Sequence, residues 1–154
     1  MLVKPLKLTV LVEDSAAPRR RESSLLEADH GLSVHVQVET EKEALCFLID
    51  TGPSSGVVLH NAEALRLDLT KTKAILLSHG HDDHTGGLIH VLKHISKKVL
   101  VIAHPRLLEP KLKLEPCLRS IGLPFTASEI VANGRHPSSI PNCCSPHAER
   151  IDNW

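Results

Sequence analysis

Apolar and polar residues follow patterns along the chain that predict a sheet interleaved with helices. Residues 6–12, 34–38 and 44–49 alternate apolar and polar side chains or run apolar with β-branched residues, as strands do. Residues 74–78 and 99–103 are short continuous apolar runs, which are typical of strands buried on both faces. The pattern therefore predicts five strands.

Helical periodicity is clearest between the last two of these strands. An apolar face at spacing i, i+3, i+4 and i+7 is formed by Leu88, Val91, Leu92 and Ile95. Weaker patterns predict a short helix capped by Asn61, a helix from about residue 106 towards 114 and a helical turn near 128–131. Strands that alternate with helices predict an α/β layered domain whose functional site lies in loops at strand ends.

Composition and charge narrow the class of protein. A chain of 154 residues with 42% hydrophobic content is expected to form one domain. Lys+Arg and Asp+Glu both number 18 and aromatic residues make up 2%, which argues against a nucleic-acid partner. The first residues contain no signal-peptide core and no bilayer-spanning run, so we expect a cytoplasmic protein without a membrane partner.

The C-terminal segment has a different character. Residues 135–154 contain three prolines and few apolar residues, and they show neither strand nor helix periodicity. We therefore expect a partial domain over residues 1–134 and an irregular tail over residues 135–154. The change in composition favours a truncated or frame-shifted reading frame joined near Gly134.

The segment "HGHDDH", residues 79–84, gathers ligand-type side chains directly after a predicted strand. A solvated turn would be a sufficient explanation for two histidines. Three histidines and two aspartates at this spacing, before an amphipathic helix, favour a metal site instead. Imidazole and carboxylate ligands without thiolate suit zinc, and iron or manganese are alternatives.

This segment resembles the HxHxDH signature of the metallo-β-lactamase superfamily. The stretches "LIDTGPSS" and "GLSVHVQVE" are similar to one branch of it, the dihydropterin-methyl-ribofuranosylaminobenzene-phosphate synthase-like metallo-hydrolases. The resemblance runs from about residue 8 to residue 131. It implies an αββα sandwich, of which this chain would supply only the N-terminal half, a mixed sheet with flanking helices.

The resemblance also implies roles for individual residues. His79 and His81 would hold one metal, and Asp83 and His84 would hold a second. Asp83 would in addition act in catalysis by orienting the attacking water. Asp50 would form hydrogen bonds within the site and hold the loop, without binding metal.

The function implied is a metal-dependent hydrolase that uses a metal-activated water on a small molecule, phosphorylated or ester-like. The alternative is a catalytically inactive remnant that at most binds metal, because the family's remaining ligands lie in a second half that is missing here. His147 echoes one of those ligands only weakly, and His104 is expected to play a structural role. A nucleic-acid-processing function is a third, weaker alternative. We expect an uncovered sheet face to favour self-association.

Overall fold

A computed structural model describes residues 5–15, 26–53 and 55–134, and its centre is a five-stranded mixed sheet. In chain order the strands are β1 (Leu6–Val12), β2 (Ser33–Glu39), β3 (Ala44–Ile49), β4 (Thr72–Leu77) and β5 (Leu100–Ala103). They lie side by side in that order, with β1, β2 and β3 antiparallel and β3, β4 and β5 parallel. All five predicted strands are confirmed.

The helices and a small hairpin complete the described chain. The helices are α1 (Ser55–Ala64), α2 (Asp82–Thr85), α3 (Leu88–Ile95) and α4 (Ala127–Gly134). Short 3-10 turns occupy Leu69–Lys71 and Pro105–Leu108, and a hairpin pairs β6 (Leu112–Lys113) with β7 (Arg119–Ser120). The predicted α/β class, a mixed sheet with flanking helices, is confirmed.

One face of the sheet is covered by α1 and α3. The four apolar residues predicted for the inner face of α3 are all at most 4% exposed. They share one core with Leu48 and Ile75 of the sheet and Val58 of α1. The apolar face of the helix α3 therefore packs against one face of the sheet, as the 3.6-residue period of α3 predicted.

The opposite face of the sheet is apolar and open. Rows of paired residues cross it through Leu8, Val36, Phe47, Ala74 and Leu100, and through Val10, Val34, Ile49, Leu76 and Ile102. Leu8 is 60% exposed, Val10 51% and Leu76 43%. The prediction that residues 74–78 are buried on both faces is therefore wrong, because nothing in the described chain covers Leu76.

We expect this open face to drive self-association, since large exposed apolar patches mark interaction sites. The Leu8→Glu variant should shift the chain towards monomer, because it places a charge at an exposed apolar position of this face. Leu112→Glu is a matched control, since Leu112 is also 60% exposed but lies in the separate hairpin. Light scattering after size exclusion, over a concentration series, measures the effect; a wild-type chain that is monomeric throughout would contradict it.

Two predicted helices differ from those observed. Asn61 is not a cap but lies buried inside α1, where its side-chain amide donates to the carbonyls of Leu11 and Glu27. The helix predicted from residue 106 ends after one 3-10 turn, because Pro110 cannot donate within a helix and the chain enters β6 instead. The helical turn near 128–131 is confirmed as part of α4.

Two further expectations concern the chain as a whole. The tail predicted over residues 135–154, with His147, lies outside the described residues. Among the helices that the structure describes, none combines the length and the apolar character needed to cross a lipid bilayer.

Candidate metal centre

The histidine-rich segment forms a loop at the carboxyl end of β4 and the first turn of α2. Because β3 and β4 are parallel neighbours, their carboxyl ends meet at one edge of the sheet. Asp50, which follows β3, therefore lies next to this loop. The candidate ligands therefore lie at strand ends, which is where the sequence predicts the site.

Three of the four predicted ligands come together in one group. His79, Asp83 and His84 each offer a ligand atom, and these atoms lie within 4.8 Å of one another. The rings of His79 and His84 have centroids 4.1 Å apart, and His84 Nε2 lies 3.9 Å from Asp83 Oδ2. The side chains of Asp83 and His84 are 22% and 20% exposed, so the group is sheltered yet open to a ligand.

His81 lies beside this group rather than in it. Its ring centroid is 4.6 Å from that of His79, in an edge-on arrangement. Its backbone carbonyl accepts from the N–H and the hydroxyl of Thr85, at 3.1 and 2.8 Å, and so begins α2. The structure therefore groups His79 with Asp83 and His84, whereas the resemblance pairs His79 with His81.

The surroundings of His79 favour its neutral imidazole. Burial lowers the pKa of His79 below its ordinary value, and the neighbouring His84 and His81 lower it further, although Asp50 and Asp83 oppose the shift. A metal ligand must have a free lone pair, so a histidine that resists protonation is already in the binding form.

Asp50 is fully buried, and its backbone has the left-handed conformation, with φ of 54°. Its N–H donates to the carbonyl of Leu76 at 2.8 Å, and its carbonyl accepts from the hydroxyl of Ser33 at 3.0 Å. Its carboxylate accepts from the N–H and the hydroxyl of Ser78, at 2.8 and 2.6 Å, and from His84 Nδ1 at 2.8 Å. The prediction that Asp50 forms hydrogen bonds within the site and holds the loop is confirmed.

These contacts also determine which ring nitrogens remain available. A carboxylate only accepts, so the hydrogen of His84 lies on Nδ1 and the hydroxyl hydrogen of Ser78 points to Asp50. The Ser78 oxygen must then accept from His79 Nδ1, at 2.9 Å. In both histidines Nε2 keeps its lone pair, which is how a carboxylate behind a histidine prepares it for a metal.

A second support holds the loop from the other side. The N–H of Asp82 donates to the carbonyl of Ile121 at 2.9 Å, and His81 forms an isolated bridge with Gly122. Gly80 packs so closely that a Cβ there would lie 2.2 Å from the carbonyl oxygen of Leu107. Only glycine fits at this position, so the loop depends on close packing as well as on hydrogen bonds.

A cavity of about 270 Å³ opens beside Asp83 and His84. Its other walls are formed by residues 13–14 and 30–32. They bring the carboxylates of Glu13 and Asp14 to the rim, and within the described part of the chain no lysine or arginine lines the cavity. A small molecule entering here would therefore meet the candidate ligands directly.

Two other histidines lie outside the group, and the buried ring nitrogens of one of them, His35, have no hydrogen-bond partner among the described residues. His104 caps the 3-10 turn at Pro105–Leu108, since its Nδ1 accepts from the N–H of Arg106 at 3.2 Å. His35 is buried on the helix-covered face of the sheet, and burial lowers its pKa. The structural role expected for His104 is consistent with this cap.

Comparison of the sequence with protein-family models shows the family to which the chain belongs. The model of the metallo-beta-lactamase superfamily matches residues 31–142, which is well over half of the chain. The chain belongs to the metallo-beta-lactamase superfamily. The resemblance read from the histidine-rich segment is thereby confirmed.

Individual members of the superfamily match over part of their length. The 7,8-dihydropterin-6-methyl-4-(beta-D-ribofuranosyl)-aminobenzene-5'-phosphate synthase of Methanocaldococcus jannaschii is 33% identical over 74% of this chain and 37% of that protein. Hydroxyacylglutathione hydrolase of Pectobacterium carotovorum is 37% identical over 39% of this chain and 22% of that protein. The solved structure of Rm3 metallo-beta-lactamase is 32% identical, with a TM-score of 0.38, over 49% of this chain and 30% of that one.

The chain thus spans little more than a third of the first of these relatives. Two imidazoles and a carboxylate nevertheless form a donor set that suits zinc, iron or manganese, and Asp50 aims both imidazoles. The residues present therefore fit a divalent metal.

Two residues of the site were not identified from the sequence. Ser78 links Asp50 to His79, and His30 lies beside Asp83. Ser78 precedes the histidines directly, so its place at the strand end was the available signal. His30 is distant in sequence, and no spacing rule connects it with Asp83.

Proposed function

We propose that this chain carries the metal-binding part of a metal-dependent hydrolase that acts on an ester-like or phosphorylated small molecule. The observation that carries this proposal is the group of His79, Asp83 and His84, whose ligand atoms lie within 4.8 Å of one another. Membership of the metallo-beta-lactamase superfamily supports it.

His79, Asp83 and His84 would hold the metal, with His81 at the edge of the group as a ligand for the same or a second ion. A divalent metal, most simply zinc, would polarise the substrate and lower the pKa of a water molecule. Asp50 keeps the Nε2 lone pairs of both imidazoles available, since it fixes their hydrogens on Nδ1. Asp83, whose carboxylate borders the cavity, would orient the attacking water and accept its proton.

The negative charge of the cavity wall indicates which class of substrate would bind there. Glu13, Asp14 and Asp83 contribute carboxylates, so on this side the charge favours a neutral ester or thioester over a phosphate. Among relatives, two hydroxyacylglutathione hydrolases and a synthase of an aminobenzene phosphate compound match part of this chain. We therefore rank ester-like substrates first and phosphorylated ones second.

The proposal is tested by loading the 154-residue chain with zinc and measuring both metal content and turnover. The assay compares thioester, lactone and phosphodiester substrates. The His79→Ala/His81→Ala variant should lose bound metal to background and lose any turnover with it. His90→Ala, on the exposed side of α3, is the matched control and should keep the wild-type metal content.

The outcomes separate the two functions considered. Turnover that depends on zinc and is abolished in His81→Ala supports the hydrolase. Metal that is bound without turnover of any substrate supports the alternative, a protein that only binds metal. Wild-type metal content in the double variant would contradict the assignment of the site.

A further inference from the structure

Resting on the metal site proposed above, we infer that His30 is a positioning residue that holds the carboxylate of Asp83 in place, and that Asp14 in turn holds His30. The three side chains form a row along the rim of the cavity. The row links the loop after β1 to the metal-binding loop.

The contacts run from one carboxylate to the other through a single imidazole. His30 Nδ1 lies 3.0 Å from Asp14 Oδ1, and His30 Nε2 lies 3.4 Å from Asp83 Oδ2. The same oxygen of Asp83 lies 3.9 Å from His84 Nε2, so His30 contacts the oxygen that borders the candidate ligands. A residue behind a ligating carboxylate fixes its direction and strengthens its metal binding.

The backbone brings His30 to this position independently of the ring contacts. Gly31 has a φ of 137°, and a Cβ there would lie 2.0 Å from the carbonyl oxygen of Asp83. The chain therefore passes closer to Asp83 than any side chain at residue 31 would permit. The backbone N–H of His30 is also held, because it donates to Asp29 Oδ1 at 2.8 Å.

Exposure decides the size of the expected effect. The side chain of His30 is 80% exposed and that of Asp14 is 71% exposed, so solvent weakens both contacts. Loss of a residue behind a metal ligand lowers affinity about 10- to 100-fold, and an exposed one belongs at the lower end, about tenfold.

The test is a titration of the 154-residue chain with Co²⁺, followed by its visible absorption, and with zinc in competition with a chelator. His30→Ala should raise the dissociation constant about tenfold and alter the Co²⁺ spectrum. His30→Gln, whose side-chain amide can donate to Asp83, should recover part of the affinity. His90→Ala is the matched exposed histidine and should bind like wild type.

Asp14 provides the sharper criterion, because among the described residues its side chain contacts His30 and not Asp83. Asp14→Asn should weaken metal binding less than His30→Ala, and the double variant should be no weaker than His30→Ala alone. Urea unfolding should give the same stability for these variants as for wild type. Additive losses, or a lost stability that accounts for the weaker binding, would overturn the role of His30.

Nitrogen-15 spectra of the histidine rings in the metal-free chain give an independent reading. Asp14→Asn and Asp83→Asn should each shift the ring nitrogens of His30, and unchanged shifts would overturn the inference. A wild-type chain that binds no metal would contradict the proposed function and this role together. Metal binding that is indifferent to His30 would contradict this inference alone.

Discussion

The Asp50→Ala variant is expected to lose on the order of 3–5 kcal/mol of folding free energy, because it removes the buried carboxylate that accepts from three part-buried donors. Three hydrogen bonds end on the Asp50 carboxylate, from the N–H and hydroxyl of Ser78 and from His84 Nδ1. Domains of this size are stable by about 5–15 kcal/mol, so a large part of the total would be lost. Urea unfolding followed by circular dichroism measures the change.

Asp68→Ala provides the control for this variant. Asp68 also accepts from a backbone N–H and a hydroxyl, both of Thr70, but it does so at the surface. Its replacement should therefore cost much less. An unfolding midpoint for Asp50→Ala equal to that of Asp68→Ala would show that the buried network does not stabilise the fold.

Asp83→Asn is expected to lower metal-dependent hydrolysis by a factor of about 100 or more while the fold is kept. The substitution keeps the shape of the side chain but removes the negative charge that, under the proposed function, would bind metal and accept a proton. Asp83 is partly exposed and its described ion-pair contacts are with His30 and His84, so folding does not depend on it.

The neighbouring Asp82→Asn is the matched control, since Asp82 lies in the same turn of α2. Initial rates, metal content and urea unfolding should be measured on both variants. Equal activity of Asp83→Asn and wild type would mean that Asp83 has no part in the chemistry. A loss of stability in step with the loss of activity would mean that its part is structural.

The sequence predicted a strand or a helix correctly wherever one hydrophobic periodicity continues along the whole strand or helix. Strands β1, β2 and β3 alternate, and α3 has four apolar residues on one face, so packing and pattern agree. The start of α1 was missed because Gly56, Val57 and Val58 have low helix propensity. Tertiary packing of Val58 against the sheet outweighs that propensity.

The candidate ligands were predictable because they lie together in one short segment, whereas their supports were not. Asp50 was identified only through the resemblance, and Ser78 and His30 were missed. Each of these residues contacts a partner that is distant in sequence. The parallel pairing of β3 with β4 brings Asp50 and Ser78 together, and the close approach of Gly31 to Asp83 brings His30 to the site. Local patterns carry no signal for such contacts.

The open face of the sheet makes this chain convenient to engineer. Along each strand, residues such as Leu8 and Phe47 point away from the helices, while their neighbours Thr9 and Leu48 point towards them. Polar replacements at the exposed positions Leu8, Val10 and Leu76 would therefore change the surface and leave the core and the loop after β4 untouched. A non-aggregating form designed in this way would be a suitable reagent for the spectroscopy and titrations described above.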